Sequence, residues 1–182
     1  MLPRPSPART SLAGLVALGL ALPAAAQDMP RVEVALQTAD GTAAGTVTFV
    51  DTPDGLLVQA RLENLPEGAH GFHIHETGAC APDFGAAGGH YSPAGTEHGY
   101  RNDSGFHAGD LPNVYVQADG TAEADMFATW LTLQDSPKAD APYPLDDGDG
   151  SAIMVHAQSD DYAAEPPGST GARIACGVIA SG

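Results

Sequence analysis

Seven histidines are spread through this chain, and six of them stand where they could share metal ions. His73 and His75 are one residue apart in Gly71-Phe72-His73-Ile74-His75. In a β-strand residues i and i+2 face the same side, so both imidazoles would project together while Phe72 and Ile74 pack on the other face. His90, His98, His107 and Asp110 follow in a glycine-rich stretch, and His156 comes much later. Neutral imidazole is the commonest protein metal ligand and suits copper and zinc, and a carboxylate completes a typical zinc set. The chemistry this pattern points to is a histidine-rich metal centre.

The elements that must hold these residues read as short strands. Val32, Val34 and Leu36 alternate with polar or small residues; Thr46 to Val50, Leu56 to Leu62 and His70 to His75 continue the pattern. Val114 to Val116, a segment near Met126-Phe127, Ala152 to His156 and Arg173 to Ile179 complete it. Asp40-Gly41, Asp54-Gly55 and Asp119-Gly120 supply turns, and Asp-Gly between alternating segments is a hairpin signal. No helical period of any length and no internal repeat is present. Many short strands at this spacing imply an all-β sandwich or barrel. Residues 77–111 and 157–172 break the regularity. The first holds eight glycines and most of the remaining ligand-type side chains, and the second is polar, with Asp160, Asp161, Glu165 and Pro166-Pro167. A loop of such length inside a compact domain is functional or disordered, and metal coordination would order it. A third segment, 135–150, reads as a surface loop without chemistry.

The start of the chain stands apart. Arg4 and Arg9 precede an apolar run, Ser11 to Leu22, that is too short to span a bilayer, and Ala24-Ala25-Ala26 offers a cleavage site. Residues 1–26 are expected to be a secretory signal peptide, leaving 27–182 as one domain with no stable membrane association. Without Arg4 and Arg9, five basic residues face all 23 acidic ones, a formal charge of −18 in place of −16. Nucleic acid is therefore excluded as a partner, because phosphate neutralisation needs clustered Lys and Arg. Cys80 and Cys176 form an even pair in a chain expected to be exported, which suggests one disulfide, two free thiols being the alternative. The loop closed would be roughly a hundred residues, worth about 4–5 kcal/mol in the chain-entropy model.

Taken together, Gly71 to Glu76, Gly88-Gly89-His90-Tyr91-Ser92-Pro93, His98-Gly99, His107-Ala108-Gly109-Asp110-Leu111-Pro112 and Gly171 to Ile179 resemble the copper/zinc superoxide dismutases of bacteria. The likeness runs through nearly all of 27–182. It implies an eight-stranded antiparallel Greek-key β-barrel, or flattened immunoglobulin-like sandwich, with long metal-binding and electrostatic loops outside it. It further implies one copper on His73, His75, His90 and His156, and one zinc on His90, His98, His107 and Asp110, with His90 as the bridge. Asp160 would link a copper-ligand and a zinc-ligand histidine, and Arg173 would bind the anionic substrate beside the copper. His70 matches a position that is no ligand, and a buried, hydrogen-bonded side chain is expected there. The implied activity is conversion of two superoxide anions to dioxygen and hydrogen peroxide, an antioxidant role in the bacterial periplasm, by a monomer or a homodimer. A periplasmic copper- or zinc-binding or delivery protein without catalysis is the alternative. Arg173 argues against it, since a carrier has no need of an anion-binding arginine.

Overall fold

The structure, a computed structural model, describes residues 29–134, 142–163 and 170–179. The strands are β1 (Arg31–Thr38), β2 (Ala43–Thr52), β3 (Gly55–Leu62), β4 (Gly68–His75), β5 (Asp110–Val116), β6 (Ala122–Ala128), β7 (Leu131–Thr132), β8 (Tyr143–Pro144), β9 (Ser151–His156) and β10 (Arg173–Ile179). Eight of them form one antiparallel sheet in the order β5-β4-β9-β10-β1-β2-β3-β6, curled into a nearly closed Greek-key barrel. The chain crosses the barrel twice, from β3 to β4 and from β6 to β9. Every strand anticipated from alternation is present. Among the described residues, no helix is long and apolar enough to cross a membrane.

Alternation explains why these segments pair as they do. Val34 and Leu36 of β1, Val47 and Phe49 of β2, and Val58 and Ala60 of β3 all point inward and are buried. Phe72 and Ile74 of β4 join that core, both fully buried. Burying a side chain of that size stabilises by roughly 1.5–3 kcal/mol. A one-residue slip of β4 would lose both and drive His73 and His75 into the apolar interior. The hydrophobic face of β4 therefore sets the aim of its histidines.

Two expectations need correction. The Asp119-Gly120 turn joins β5 to β6, but these strands are the two ends of the ladder order rather than a paired hairpin. Gln117 N–H donates to Thr121 O at 2.8 Å, and beyond that turn a groove of about 480 Å³ separates the strands, lined by Leu111, Pro112, Met126, Phe127, Tyr100 and Trp130 among others. The groove is the place where barrel curvature leaves the sheet open. The segment 142–150 is not a plain surface loop either. Leu145 is fully buried, its N–H donates to Thr132 O at 2.9 Å, and β7 and β8 form a short parallel pair. A lone leucine between prolines and aspartates carries no period, so its burial left no pattern to read. Finally, the stretch 77–111 contains one 3-10 turn, Phe84–Ala87, begun by Asp83, whose carboxylate accepts the Gly85 N–H at 2.8 Å.

Candidate metal centre

Strand register assembles the site. In the β4–β5 ladder His73 lies opposite Asp110, and in the β9–β10 ladder His156 lies opposite Arg173. An isolated bridge sets His75 opposite His90. β4 runs between β5 and β9, so its two histidines sit between Asp110 on one side and His156 on the other. All six candidate histidines and Asp110 converge, although they come from positions 73 to 156. The closest rings, those of His73 and His90, have centroids 4.2 Å apart.

Two groups of donor atoms form. In one, His90, His98, His107 and Asp110 bring their ligand atoms within 4.8 Å of one another. Asp110 Oδ1 is 2.8 Å from His90 Nδ1, 3.0 Å from His98 Nδ1 and 3.5 Å from His107 Nδ1. Its Oδ2 is turned away and accepts the N–H groups of Gly99 at 2.8 Å and His107 at 3.0 Å. In the other, His73, His90 and His156 meet the same criterion. His75 falls outside that tighter set, but its Nε2 is 3.3 Å from His156 Nε2. His90 belongs to both groups.

The hydrogen bonds orient each ring. Carbonyl and carboxylate oxygens only accept, so His73 donates from Nε2 to Asp160 Oδ2 at 2.9 Å, and His75 donates from Nδ1 to Gly88 O at 3.1 Å. That leaves His73 Nδ1 and His75 Nε2 bare. His73 Nδ1 and His107 Nδ1 are buried with no hydrogen-bond partner. An orphaned buried nitrogen is uncommon in a native fold and calls for an explanation. Several bare imidazole nitrogens aimed at common points suit a cation, so the donor set fits the metals that imidazole favours. Asp160 also accepts from His98 Nε2 at 3.0 Å, so one carboxylate spans both groups.

Electrostatics follow from burial and proximity. Burial holds His75 down to about 2, aided by the neighbouring His90 and Arg173. Burial likewise lowers His156 to about 3 and His90 to about 4. His98 goes the other way. Burial opposes its charge, but the Asp110 and Asp160 carboxylates outweigh that and raise it to about 10. Burial also opposes the charge of Asp110 and Asp160, yet their imidazole and N–H donors hold both carboxyls below the ordinary range.

Around this centre the remaining residues fall into place. Arg173 donates from Nη1 to Phe84 O at 2.5 Å and from Nη2 to Gly88 O at 2.6 Å, fixing the guanidinium against the loop that carries His90. Cys80 and Cys176 are joined, tying that loop to β10. His70 is buried between two carbonyls, Nδ1 at 2.8 Å from His156 O and Nε2 at 2.8 Å from Pro66 O, and belongs to neither donor group. Gly99 has φ +95°, in the region that favours glycine, and a Cβ there would stand 2.1 Å from Tyr162 O. Only glycine lets the loop of His98 approach the loop of Asp160 so closely. Glu165, Pro166 and Pro167 lie outside the described residues. Sequence reasoning passed over Asn113, Tyr100 and Tyr162, which link these loops. An asparagine or tyrosine in a loop-rich chain carries no signal of its own.

Comparison with known proteins agrees with this geometry. The model of the family described as copper/zinc superoxide dismutase matches residues 43–179. A Cu-Zn superoxide dismutase of Caulobacter vibrioides is 42% identical over 146 residues, covering 79% of this chain and 82% of that protein. A superoxide dismutase-like protein of Bacillus subtilis is also 42% identical, over 80% of this chain and 74% of its own length. Among solved structures, a double mutant of a SOD-like protein from Bacillus subtilis aligns with a TM-score of 0.75 at 42% identity, covering 82% of this chain and 97% of that one. Cu/Zn superoxide dismutase from Brucella abortus aligns with a TM-score of 0.65 at 33% identity, over 83% of this chain and all of that one. A match of this extent, in sequence and in fold, places the chain in the copper/zinc superoxide dismutase family.

Proposed function

We propose that this protein disproportionates superoxide to dioxygen and hydrogen peroxide at a centre holding one copper and one zinc. The proposal assigns His73, His75, His90 and His156 to copper and His90, His98, His107 and Asp110 to zinc. The observation that carries it is the sharing of His90 by two donor groups beside a fixed arginine. Copper, when bound, supplies one-electron redox chemistry, and zinc supplies a cation that does none.

The chain's own residues do the rest. His90 turns Nδ1 to the Asp110 side and presents Nε2 to the other group, where it would take up and release a proton. Asp160 accepts from His73 and His98, keeping the proton of each on Nε2 and the metal-facing Nδ1 of His73 bare. Arg173, held by two carbonyls, offers a fixed positive charge to a small anion. Burial of the surrounding rings keeps bulk water from their donor atoms. A copper- or zinc-binding protein without catalysis would need the donor groups but not the immobilised guanidinium, which is the feature that disfavours it.

The same reading makes residues 1–26 a secretory signal peptide cleaved after Ala26, with 27–182 released to the periplasm as a monomer or homodimer. Fully loaded protein should contain one copper and one zinc per chain by elemental analysis, and it should accelerate superoxide removal only after copper is restored. A protein that binds both metals yet leaves superoxide decay at its uncatalysed rate would turn the assignment to the metal-binding alternative.

A further inference from the structure

Between the two donor groups stands Asp160, in a stretch with no strand or helix of its own. Its carboxylate must meet His73 Nε2 and His98 Nε2 at once, at 2.9 and 3.0 Å, although these histidines come from β4 and from the glycine-rich loop. A residue in irregular backbone keeps such a position only if something else fixes it. That something is Asn113. Its Nδ2 donates to Asp160 O at 2.9 Å, and its Oδ1 accepts the Asp160 N–H at 2.8 Å. The side-chain amide thus pairs with both backbone polar groups of the one residue. Asn113 N–H also donates to Tyr162 OH at 2.8 Å, and Tyr162 N–H donates to Asp160 Oδ1 at 2.8 Å. Asn113 and Asp160 are both buried, so neither set of groups has water as a substitute partner.

Asn113 lies on β5, three residues after Asp110. The strand that delivers the Asp110 carboxylate to one donor group therefore also holds the carboxylate that links the two groups. We propose that Asn113 is a positioning residue, a clamp on Asp160 through which the zinc-type and copper-type clusters keep a common geometry. With the clamp in place, both His73 and His98 present Nε2–H to Asp160. Without it, the Asp160 backbone loses two partners, the carboxylate moves off the His73 ring, and that ring's proton is free to settle on Nδ1, the nitrogen left bare in the intact site. The hydrogen-bonding capacity that matters is an amide's, one donor and one acceptor. An aspartate at 113 would keep the acceptor and lose the donor, and it would add a second negative charge beside Asp160.

This inference rests on the metal assignment above, so the experiment has an arm that needs no metal. Wild type, Asn113→Ala, Asn113→Gln and Asn113→Asp would be compared with Val58→Ala, which thins the barrel core on β3, away from the site. In the metal-free proteins, nitrogen-15 NMR of the histidine rings should report the Nε2–H form for His73 in wild type and Val58→Ala. It should report a loss of that form in Asn113→Ala and Asn113→Asp. In the loaded proteins, zinc release to a chelator should speed at least tenfold in Asn113→Ala. The copper(II) electron paramagnetic resonance spectrum should change as well, while Val58→Ala keeps the wild-type spectrum at an equal loss of thermal stability. Asn113→Gln, which keeps both hydrogen-bonding groups, should recover part of the zinc retention. Unchanged ring forms in metal-free Asn113→Ala, or zinc release and spectral changes reproduced by Val58→Ala, would overturn the clamp. Failure of wild type to hold two metals would overturn the metal assignment and leave the NMR arm to decide the clamp.

Discussion

His98 and its neighbours pull on protons in opposite directions, and this gives the metal-free protein a defined pH response. His75, His90 and His156 are held to about 2, 4 and 3 when folded, against an ordinary value of 6.5. A group lowered on folding leaves stability intact above its unfolded value and removes it as pH falls toward the folded one. From about pH 6 downward each of the three therefore steepens the loss of stability, by at most about 1.4 kcal/mol per pH unit. His98, raised to about 10, works the other way. Its contribution is full below 6.5 and is lost as pH rises toward 10. The lowered carboxyls of Asp110 and Asp160 add their own loss only below the ordinary carboxyl range near 4. Denaturant unfolding of metal-free protein should thus show stability already falling between pH 6 and 5, above the ordinary carboxyl range. A flat profile across that window would contradict the burial of the three rings. At the same scale, Arg173→Ala should lower the bimolecular rate with superoxide clearly while both metals stay bound. Arg173→Lys should lose less, because it keeps the charge and forfeits only the two-carbonyl fixation.

At the scale of elements, the histidines proposed for copper are largely borne by strands and those proposed for zinc by a loop. Their legibility differs for that reason. His73 and His75 could be placed on one face from period alone, since Phe72 and Ile74 supply the apolar half of the alternation. His156 and Arg173 stand at strand ends, but nothing local shows that β9 and β10 pair them. The loop residues were legible only as a set, by likeness to a family. What stayed hidden were contacts made by chemically quiet residues: Asn113 to Asp160, Tyr100 OH to Asp110 O at 2.5 Å, and the close approach at Gly99. The Asp119-Gly120 turn misled because turn chemistry is local, whereas which strands pair beyond it depends on the curvature of the whole sheet. The approach at Gly99 is testable. Gly99→Ala should lower thermal stability by about 2–5 kcal/mol, combining left-handed backbone strain with overlap on Tyr162 O. It should also weaken zinc more than copper.

On the scale of the whole molecule, an acidic protein must attract an anion. Among the described residues the arginines are Arg31, Arg61, Arg101 and Arg173, and Lys138 lies outside them. Arg61 is paired with Asp125 at 3.0 Å on the far side of β3. Charges beyond about 8 Å are largely screened at physiological ionic strength. Arg173 together with the bound metals should therefore dominate close in, and the overall negative field should matter only at low salt. Stopped-flow rates on the loaded enzyme should fall mildly with added salt, or rise slightly where the overall field prevails. A steep fall that persists in Arg173→Ala would shift the steering to Arg101 or Lys138.

The open groove between β5 and β6 has a mechanical consequence. A cylinder closed all round has nowhere to begin tearing, but this one has a rip line, stitched at one end by the turn through Asp119 and Gly120. Heating should pry it apart there before the β1–β2 or β2–β3 ladders give way. Amide hydrogen exchange should accordingly be faster along the facing edges of β5 and β6 than in β2. The strand on one lip of the tear carries both Asp110 and Asn113. The expected tear and the anchorage of the His90, His98, His107 and Asp110 cluster thus share one strand, and a bound metal there would stiffen one lip of the tear.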